Sequence, residues 1–416
     1  MALSGQAMPD HSTIADFISR SPEAIKTVFQ EVLLTCDAAG LIGRELFAID
    51  GVKLPSNASK EWSGRHEELK AKADKLERAV ERMLEVHKDE DTKDSAPDLQ
   101  AHAERQRKKL ERHSEKIRAF LAQSRPKIGH TGKERKSNVT DNDSAKLATG
   151  KGVIQGYVGV AVTDAEHQII VEAQAHGAPQ EQELLQPVLE GTQEHFQDLG
   201  LSPNILSEVP LTADSGFHSE ANLQWLSAQD SDAYVADHGF RKRDPRFAEA
   251  DKYKPPKPQP KKYRPADFEY DPIRLTCRCP AGKALYRNGV NVNVGGRHGI
   301  KFTAPKTACR DCNLRVRCLR NENQKSPRQV VFFDDTRLDK EPTHSAKMKA
   351  KIDSPRGRMI YSRRLGTVEP PFGNIRSTKG MNRFTLRGRE KVDGQWKLYA
   401  MVHNIEKLAH YGGERW

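Results

Sequence analysis

The chain has 416 residues, of which 36% are hydrophobic and 30% charged, and its 68 Lys and Arg outnumber its 57 Asp and Glu to leave a formal net charge of +11. This positive charge favours an anionic partner such as nucleic acid. No run of about 18 apolar residues occurs, and the first residues lack the basic flank and apolar stretch of a secretory signal, so we expect neither a membrane span nor secretion.

The N-terminal part of the chain is predicted to be helical. Apolar residues recur at helical spacing through much of residues 1–43, which indicates one or two amphipathic helices. The next segment, residues 44–60, begins with a short buried strand that is predicted to end in the acid Asp50.

Residues 61–150 have a different composition, dominated at first by Lys, Glu, Arg, Ala and Leu. Widely spaced apolar residues up to position 125 predict two long charged helices, and the polar break before Pro97 favours an antiparallel helical hairpin. The remainder, up to residue 150, is predicted to be a polar linker. The hairpin either binds a second protomer or presents a solvated charged face.

Residues 151–240 combine strand and helix patterns. Alternating β-branched residues at 153–162 and a second apolar run at 169–173 predict a β-hairpin. A helix, a strand that ends in the acid Asp214, a further helix and a last short strand follow. This order predicts a mixed α/β sheet.

Residues 241–350 are predicted to form a basic, Pro-rich and Cys-rich insertion. Residues 241–270 contain six prolines and ten Lys or Arg, which favours an extended segment. The Cys-rich part has the spacing of a structural Zn²⁺ site. The predicted zinc ligands are Cys279, Cys309, Cys312 and Cys318. Cys277 and His298 are alternative ligands, and buried cysteines without metal are the alternative to a zinc site.

The C-terminal segment, residues 351–416, is predicted to be helical and contains Glu369. Asp50 and Asp214 are both placed at strand ends, and strand ends at one edge of a sheet meet at a common crevice. Carboxylates in such a crevice suit Mg²⁺, which can assist phosphodiester chemistry, and Glu369 is the candidate for a third carboxylate. Taken singly, each acid also fits a turn or a helix start.

Three segments together resemble a known family. FAIDGVKLPSNASK, LTADSGFHSEANLQWL and MIYSRRLGTVEPPFGNIRSTKGMNRFTLRG resemble, in this order, the three catalytic blocks of bacterial insertion-sequence transposases of the DDE type. The resemblance covers nearly the whole chain. It implies an α/β fold with a ribonuclease H-like mixed sheet flanked by helices, from which the helical hairpin and the Cys-rich segment protrude as insertions.

The resemblance also implies roles for individual residues. The metal-binding catalytic acids of the family correspond here to Asp50, Asp214 and Glu369, with Mg²⁺ or Mn²⁺ as cofactor. Their expected reaction is phosphodiester hydrolysis and transesterification, that is, DNA strand cleavage and strand transfer at the ends of an insertion sequence. The residues expected to bind DNA or phosphate are Tyr361, Arg364, Arg376 and Lys379.

The partners implied by the resemblance are double-stranded DNA with terminal inverted repeats and a second copy of the chain in a synaptic complex. A small-molecule substrate is not expected, and the expected location is cytoplasmic and nucleoid-associated. Family members carry several dozen residues before the motif PDHSTIADF, which begins here at Pro9. We therefore expect a shortened N-terminal DNA-binding region. The alternative function is a truncated, non-catalytic transposase remnant that only binds DNA.

Overall fold

The computed structural model describes residues 10–90, 97–129, 132–247, 249, 262–294, 297–321, 323–333 and 342–413. The chain divides into two compact units. The first comprises residues 1–244 and 343–416, and the second comprises residues 245–342.

The helices begin and end as follows: α1 (His11–Arg20), α2 (Pro22–Ala38), α3 (His66–Glu90), α4 (Pro97–Gln123), α5 (Leu185–Asp198), α6 (Ile205–Glu208), α7 (Glu220–Ala228), α8 (Phe240–Arg243), α9 (Lys306–Arg310), α10 (Arg315–Cys318), α11 (His344–Asp353), α12 (Pro355–Ser362), α13 (Arg364–Gly373) and α14 (Arg389–Tyr411). A π-helical turn, Asn374–Thr378, continues α13. Within the described residues, no helix combines the length and the apolarity needed to cross a lipid bilayer.

The strands are β1 (Phe47–Pro55), β2 (Ser63–Gly64), β3 (Lys127–Ile128), β4 (Glu134–Arg135), β5 (Ser137–Asn138), β6 (Ala145–Thr149), β7 (Gly152–Asp164), β8 (Ile170–His176), β9 (Leu211–Ala213), β10 (Ala233–Val235), β11 (Glu269–Asp271), β12 (Thr276–Arg278), β13 (Ala284–Val294), β14 (Arg297–Thr303) and β15 (Gln329–Phe333).

The main sheet of the first unit has the strand order β10-β9-β1-β7-β6, and β8 also pairs with β7. Strand β9 runs parallel to both β1 and β10. Strand β7 runs antiparallel to β1, β6 and β8. The sheet is therefore mixed, and the prediction of an α/β fold is confirmed at this level.

Strand β7 lies between two hydrophobic layers. Val158, Val160 and Val162 face a core that contains apolar residues of α5 and α7. Tyr157 and Ala161, on the opposite face, belong to a second core with residues of α14. Side chains of a strand alternate between the two faces of a sheet, and a strand covered on both faces is apolar at nearly every position. This explains the uninterrupted apolar run that the sequence shows here.

Helix α14 packs directly against β7 through Trp396. The indole is fully buried, and its Nε1–H donates to the Val160 carbonyl at 2.8 Å. This close approach requires Gly159, because a Cβ at that position would lie 2.9 Å from the indole ring. The C-terminal helix is thereby attached to the centre of the sheet.

Two sequence-based boundaries were wrong. Strand β1 does not end at Asp50 but continues to Pro55, because the long strand β7 supplies it with pairing partners as far as Gly156. The predicted linker up to residue 150 contains β6, which pairs with β7 from Ala145 to Thr149. Backbone pairing with a neighbouring strand determines both boundaries. The residue pattern of one strand taken alone does not show how far this pairing extends.

Helices α3 and α4 form an antiparallel hairpin. The Arg118 guanidinium of α4 binds Glu77 at 2.8 Å and also Asp74, both on α3. Leu69 and Ile117 are buried in a small core shared by the two helices. The predicted break between the helices, at residues 91–96, lies outside the described residues.

The second unit contains an antiparallel sheet with the order β11-β12-β13-β14-β15. Its buried hydrophobic core is small and consists of Phe268, Cys277, Leu285, Ile300, Phe302, Ala304 and Val330. Residues 248 and 250–261 of the predicted extended basic segment lie outside the described residues. So small a core is a weak source of stability for the unit.

Candidate active site

The pairing of β1 with β9 brings two of the predicted acids together. Ile49 is opposite Ala213 in this parallel pair, so the next residue of each segment is an aspartate. Asp50 lies in the middle of β1, and Asp214 follows β9 directly. The two carboxylates are adjacent although they lie 164 positions apart along the chain.

Arg364 lies between these two carboxylates. Its Nη1 donates to Asp50 Oδ2 at 3.0 Å, and its Nη2 lies 3.6 Å from Asp214 Oδ1. The Arg364 side chain is only 8% exposed, whereas that of Asp214 is 43% exposed. Charge-assisted pairing of this kind is strong where water is largely excluded.

Asp50 is also bound by the backbone, because its Oδ1 accepts the N–H of Gly51 at 2.8 Å. Burial raises the pKa of Asp50, against the opposing attraction of Arg364 and the Gly51 hydrogen bond. The Arg364 guanidinium has a raised pKa: burial opposes its charge, but the attraction of Asp50, Tyr361 and Asp214 is stronger. Arg364 is thus a buried cation that is held by two acids, Asp50 and Asp214.

Glu369 lies on α13 and is exposed. It lines a cleft of ≈ 420 Å³ together with Asp50, so the structure brings these two acids to one space. Gly51, Val52, Phe372, Gly373, Arg376, Ser377 and Asn382 complete the lining. A polar cleft with two acids and an arginine suits a charged ligand.

The π-helical turn after α13 carries Arg376 into the same cleft, where it is exposed. The turn is attached to α14: the Asn374 amide donates to His403 Nδ1 and to Glu406 Oε2, each at 3.0 Å. His403 Nε2 lies 2.9 Å from the Gln168 carbonyl, and burial lowers the pKa of His403 to about 4. A neutral imidazole with the proton on Nε2 satisfies both contacts.

The other two residues predicted to bind DNA are placed differently. Tyr361 packs edge-on against Phe240, with a ring separation of 4.9 Å, and burial raises the pKa of its phenol. Lys379 is ion-paired with Glu406 and is largely buried, so its ammonium does not line the cleft with Arg376.

Four cysteines of the second unit surround one small cavity of ≈ 20 Å³. They are Cys279, Cys309, Cys312 and Cys318, the predicted zinc ligands. Burial raises the pKa of Cys318, and the other three thiols add to this effect. The alternative ligands are elsewhere. Cys277 is buried in the core of the unit, and His298 Nδ1 lies 2.6 Å from Asn291 Oδ1, which accepts its hydrogen bond.

The donor atoms at both places have suitable chemistry for a metal. Carboxylate oxygens suit Mg²⁺ and thiolates suit Zn²⁺. In the described part of the chain, however, no group of three or more His, Cys, Asp or Glu side chains is arranged to hold a metal ion.

Several residues at the cleft were not predicted from the sequence. Phe372, Ser377 and Asn382 line it, and the only sequence signal for them is their proximity to Glu369. Arg364 was expected to bind DNA phosphate but contacts Asp50 and Asp214. Its guanidinium is directed to the acids because α13 begins beside β1. This packing is a feature of the tertiary structure, and the local sequence does not show it.

The mixed sheet defines an α/β protein, and Asp50, Glu369 and Arg376 line one cleft in it. Residues 278–409 match the protein family described as "Transposase DDE domain". This match over residues 278–409 confirms the resemblance to DDE-type transposases. The matched residues include Glu369, Arg364 and the Cys-rich segment, whereas Asp50 and Asp214 precede them. No curated protein matches the chain.

Proposed function

We propose that the protein catalyses metal-dependent DNA strand cleavage and strand transfer at the ends of an insertion sequence. The observation that carries this proposal is the association of Asp50 with each of the other two predicted acids. Asp50 and Glu369 line the cleft, and Asp214 adjoins Asp50 through Arg364. Neighbouring carboxylates repel one another, so such a group of acids favours a role in binding a cation over a role in packing.

The acids would hold Mg²⁺ or Mn²⁺ through their carboxylate oxygens. When held there, such ions would supply a lower pKa for an attacking water or 3′-hydroxyl and stabilisation for the leaving oxygen of a phosphodiester. Asp50 and Asp214 would hold the ions at the strands, and Glu369 would close the site from α13. The mixed sheet, with Asp50 on β1 and Asp214 directly after its parallel partner β9, supports a ribonuclease H-like fold.

Arg376 is the residue best placed to bind phosphate at the cleft. It is exposed and lies on the π-helical turn beside Glu369 and Asp50. A guanidinium can bind two phosphate oxygens at once, which orients the scissile strand as well as neutralising it. Asn374 supports this position through its contacts with α14.

The distribution of charge supports DNA as the partner. Residues 245–342 contain 22 Lys or Arg and 11 Asp or Glu, which gives a net charge of +11. The remaining 46 Lys or Arg and 46 Asp or Glu cancel. The entire formal excess of positive charge therefore belongs to the second unit, and we propose that this unit contacts the DNA backbone.

This proposal predicts a change in the salt dependence of DNA binding. Replacing three exposed cations of the second unit, Lys306, Arg310 and Arg320, by Gln is expected to weaken DNA binding. The plot of log K against log salt has a negative slope, and each lost phosphate contact reduces the magnitude of this slope by about 1. Fluorescence anisotropy with labelled duplex DNA over a range of salt concentrations measures this slope.

The matched control is the triple substitution of Lys70, Lys75 and Arg82 by Gln, which removes three exposed cations from α3 of the neutral unit. We expect the control to keep the wild-type slope. An equal loss of slope in both triple variants would contradict a DNA-binding role specific to the second unit.

A structural Zn²⁺ in the second unit is also proposed. The support is the convergence of four thiols on one cavity in a unit whose hydrophobic core is small. A tetrathiolate site contributes folding free energy that such a core lacks. The synaptic homodimer and the nucleoid-associated location stay proposals that rest on the family.

The function is tested with the full chain, Mg²⁺ or Mn²⁺, and DNA that carries the flanking inverted repeats of the insertion sequence. We expect nicking at the repeat ends and joining of the released 3′-ends to target DNA, both resolved on denaturing gels. Retained DNA binding without any nicking would contradict the proposal and would indicate the non-catalytic remnant.

A further inference from the structure

Arg364 occupies the space between two acids that the proposed reaction needs for metal. Its two terminal nitrogens approach Asp50 Oδ2 and Asp214 Oδ1, at 3.0 Å and 3.6 Å. These oxygens are the hard donors that a divalent cation would take. A buried guanidinium and a metal ion therefore compete for the same atoms.

We propose that Arg364 is a positioning residue that stands in for the metal charge in the metal-free protein and releases the aspartates when a divalent cation binds. This inference rests on the proposed function, because it takes Asp50 and Asp214 as metal ligands. It differs from the phosphate-binding role expected from the sequence, since the guanidinium is directed to the acids.

Electrostatics supports both halves of the exchange. Two neighbouring carboxylates repel each other, and the guanidinium between them removes this repulsion while metal is absent. A divalent cation bound to the same oxygens would lie within a few ångströms of the guanidinium, whose side chain is only 8% exposed, and the two positive charges would repel each other. The arginine and the metal therefore destabilise each other at this position.

The surroundings of Arg364 explain why it is held there. It is the first residue of α13, and its Cζ lies 5.9 Å from the centre of the Tyr361 ring, which in turn packs against Phe240. The preceding residue, Arg363, is 48% exposed and pairs with Glu45 at 3.2 Å. Arg363 thus offers a matched control: the same side chain, one position away, without contact to Asp50 or Asp214.

The test measures Mn²⁺ binding to the full chain without DNA, by calorimetry or by electron paramagnetic resonance. For Arg364→Gln we expect Mn²⁺ to bind about tenfold more tightly than in the wild type, because a competing charge is lost. The metal-free variant should also melt at a lower temperature, and Mn²⁺ should raise its Tm by more than that of the wild type. Arg363→Gln should match the wild type in both measurements.

Arg364→Lys provides a second variant if Arg364→Gln does not fold. Lysine keeps the charge but cannot bridge both carboxylates, so its Mn²⁺ affinity should lie between those of the wild type and Arg364→Gln. Unchanged or weaker Mn²⁺ binding in the folded Arg364 variants would overturn the inference. Failure of the proposed function would give a different result. If Asp50 and Asp214 are not metal ligands, Asp50→Asn and Asp214→Asn will leave Mn²⁺ binding unchanged.

Discussion

Asp214→Asn is expected to abolish DNA cleavage while DNA binding is retained. The substitution keeps the size of the side chain but removes a negative charge from the place where Asp50 and Asp214 meet. Because bound metal ions contribute several kcal/mol to phosphodiester cleavage, the rate should fall by about 10³-fold or more. The measurement is the nicking rate of inverted-repeat DNA with saturating Mg²⁺.

The control for this prediction is Glu45→Gln. Glu45 is an exposed acid near the start of β1 that pairs with Arg363 and does not line the cleft. We expect this variant to cleave at the wild-type rate. A rate for Asp214→Asn within about twofold of the wild type would remove Asp214 from the catalytic set.

Removal of the cysteine cluster is expected to unfold the second unit. The purified full chain should contain about one Zn²⁺, and Cys312→Ser should lose it because a tetrahedral site needs all four ligands. In small zinc domains the metal supplies folding free energy on the order of 10 kcal/mol. The small hydrophobic core of the second unit cannot make up for the loss of this contribution. Elemental analysis by mass spectrometry measures zinc, and limited trypsin digestion measures order in residues 245–342.

Cys277→Ala is the matched control for Cys312→Ser. Cys277 lies in the same unit and is buried, but it belongs to the core and does not line the four-cysteine cavity. We expect this variant to retain its zinc and its resistance to trypsin. A zinc-free wild-type protein with an ordered second unit would refute the zinc site, and zinc loss in Cys277→Ala would change the ligand set.

The parts of the fold that the sequence predicted are those with long, regular apolar patterns. Strand β7 is buried on both faces, and its residues show this without any knowledge of the partner strands. The end of β1 was predicted wrongly because the length of a paired strand depends on its neighbour, and Gly51 gave a plausible turn. Strands β11 to β15 were not predicted. Strands β11 and β12 have three residues each, and the longer β13 is exposed at most positions, so none of the three shows a strong apolar pattern.

The candidate site divides in the same way. The cysteine spacing is local, and it predicted the four side chains that line the small cavity. The position of Arg364 is not local, since it depends on where α13 crosses the sheet relative to Asp50. A single sequence shows that position 364 carries a basic residue. Whether this residue contacts a phosphate or a carboxylate depends on the tertiary structure.

The order of β1 and β9 in the sheet has a consequence for synthesis on the ribosome. Strand β1 is translated early, but its parallel partner β9 follows only after the whole helical hairpin, and Glu369 follows still later. Contacts between such distant segments form slowly and have a high loop-closure entropy cost. The nascent chain therefore has no complete set of three acids until translation is nearly finished. Release of an incomplete chain would leave the positively charged unit without the cleft that α13 completes.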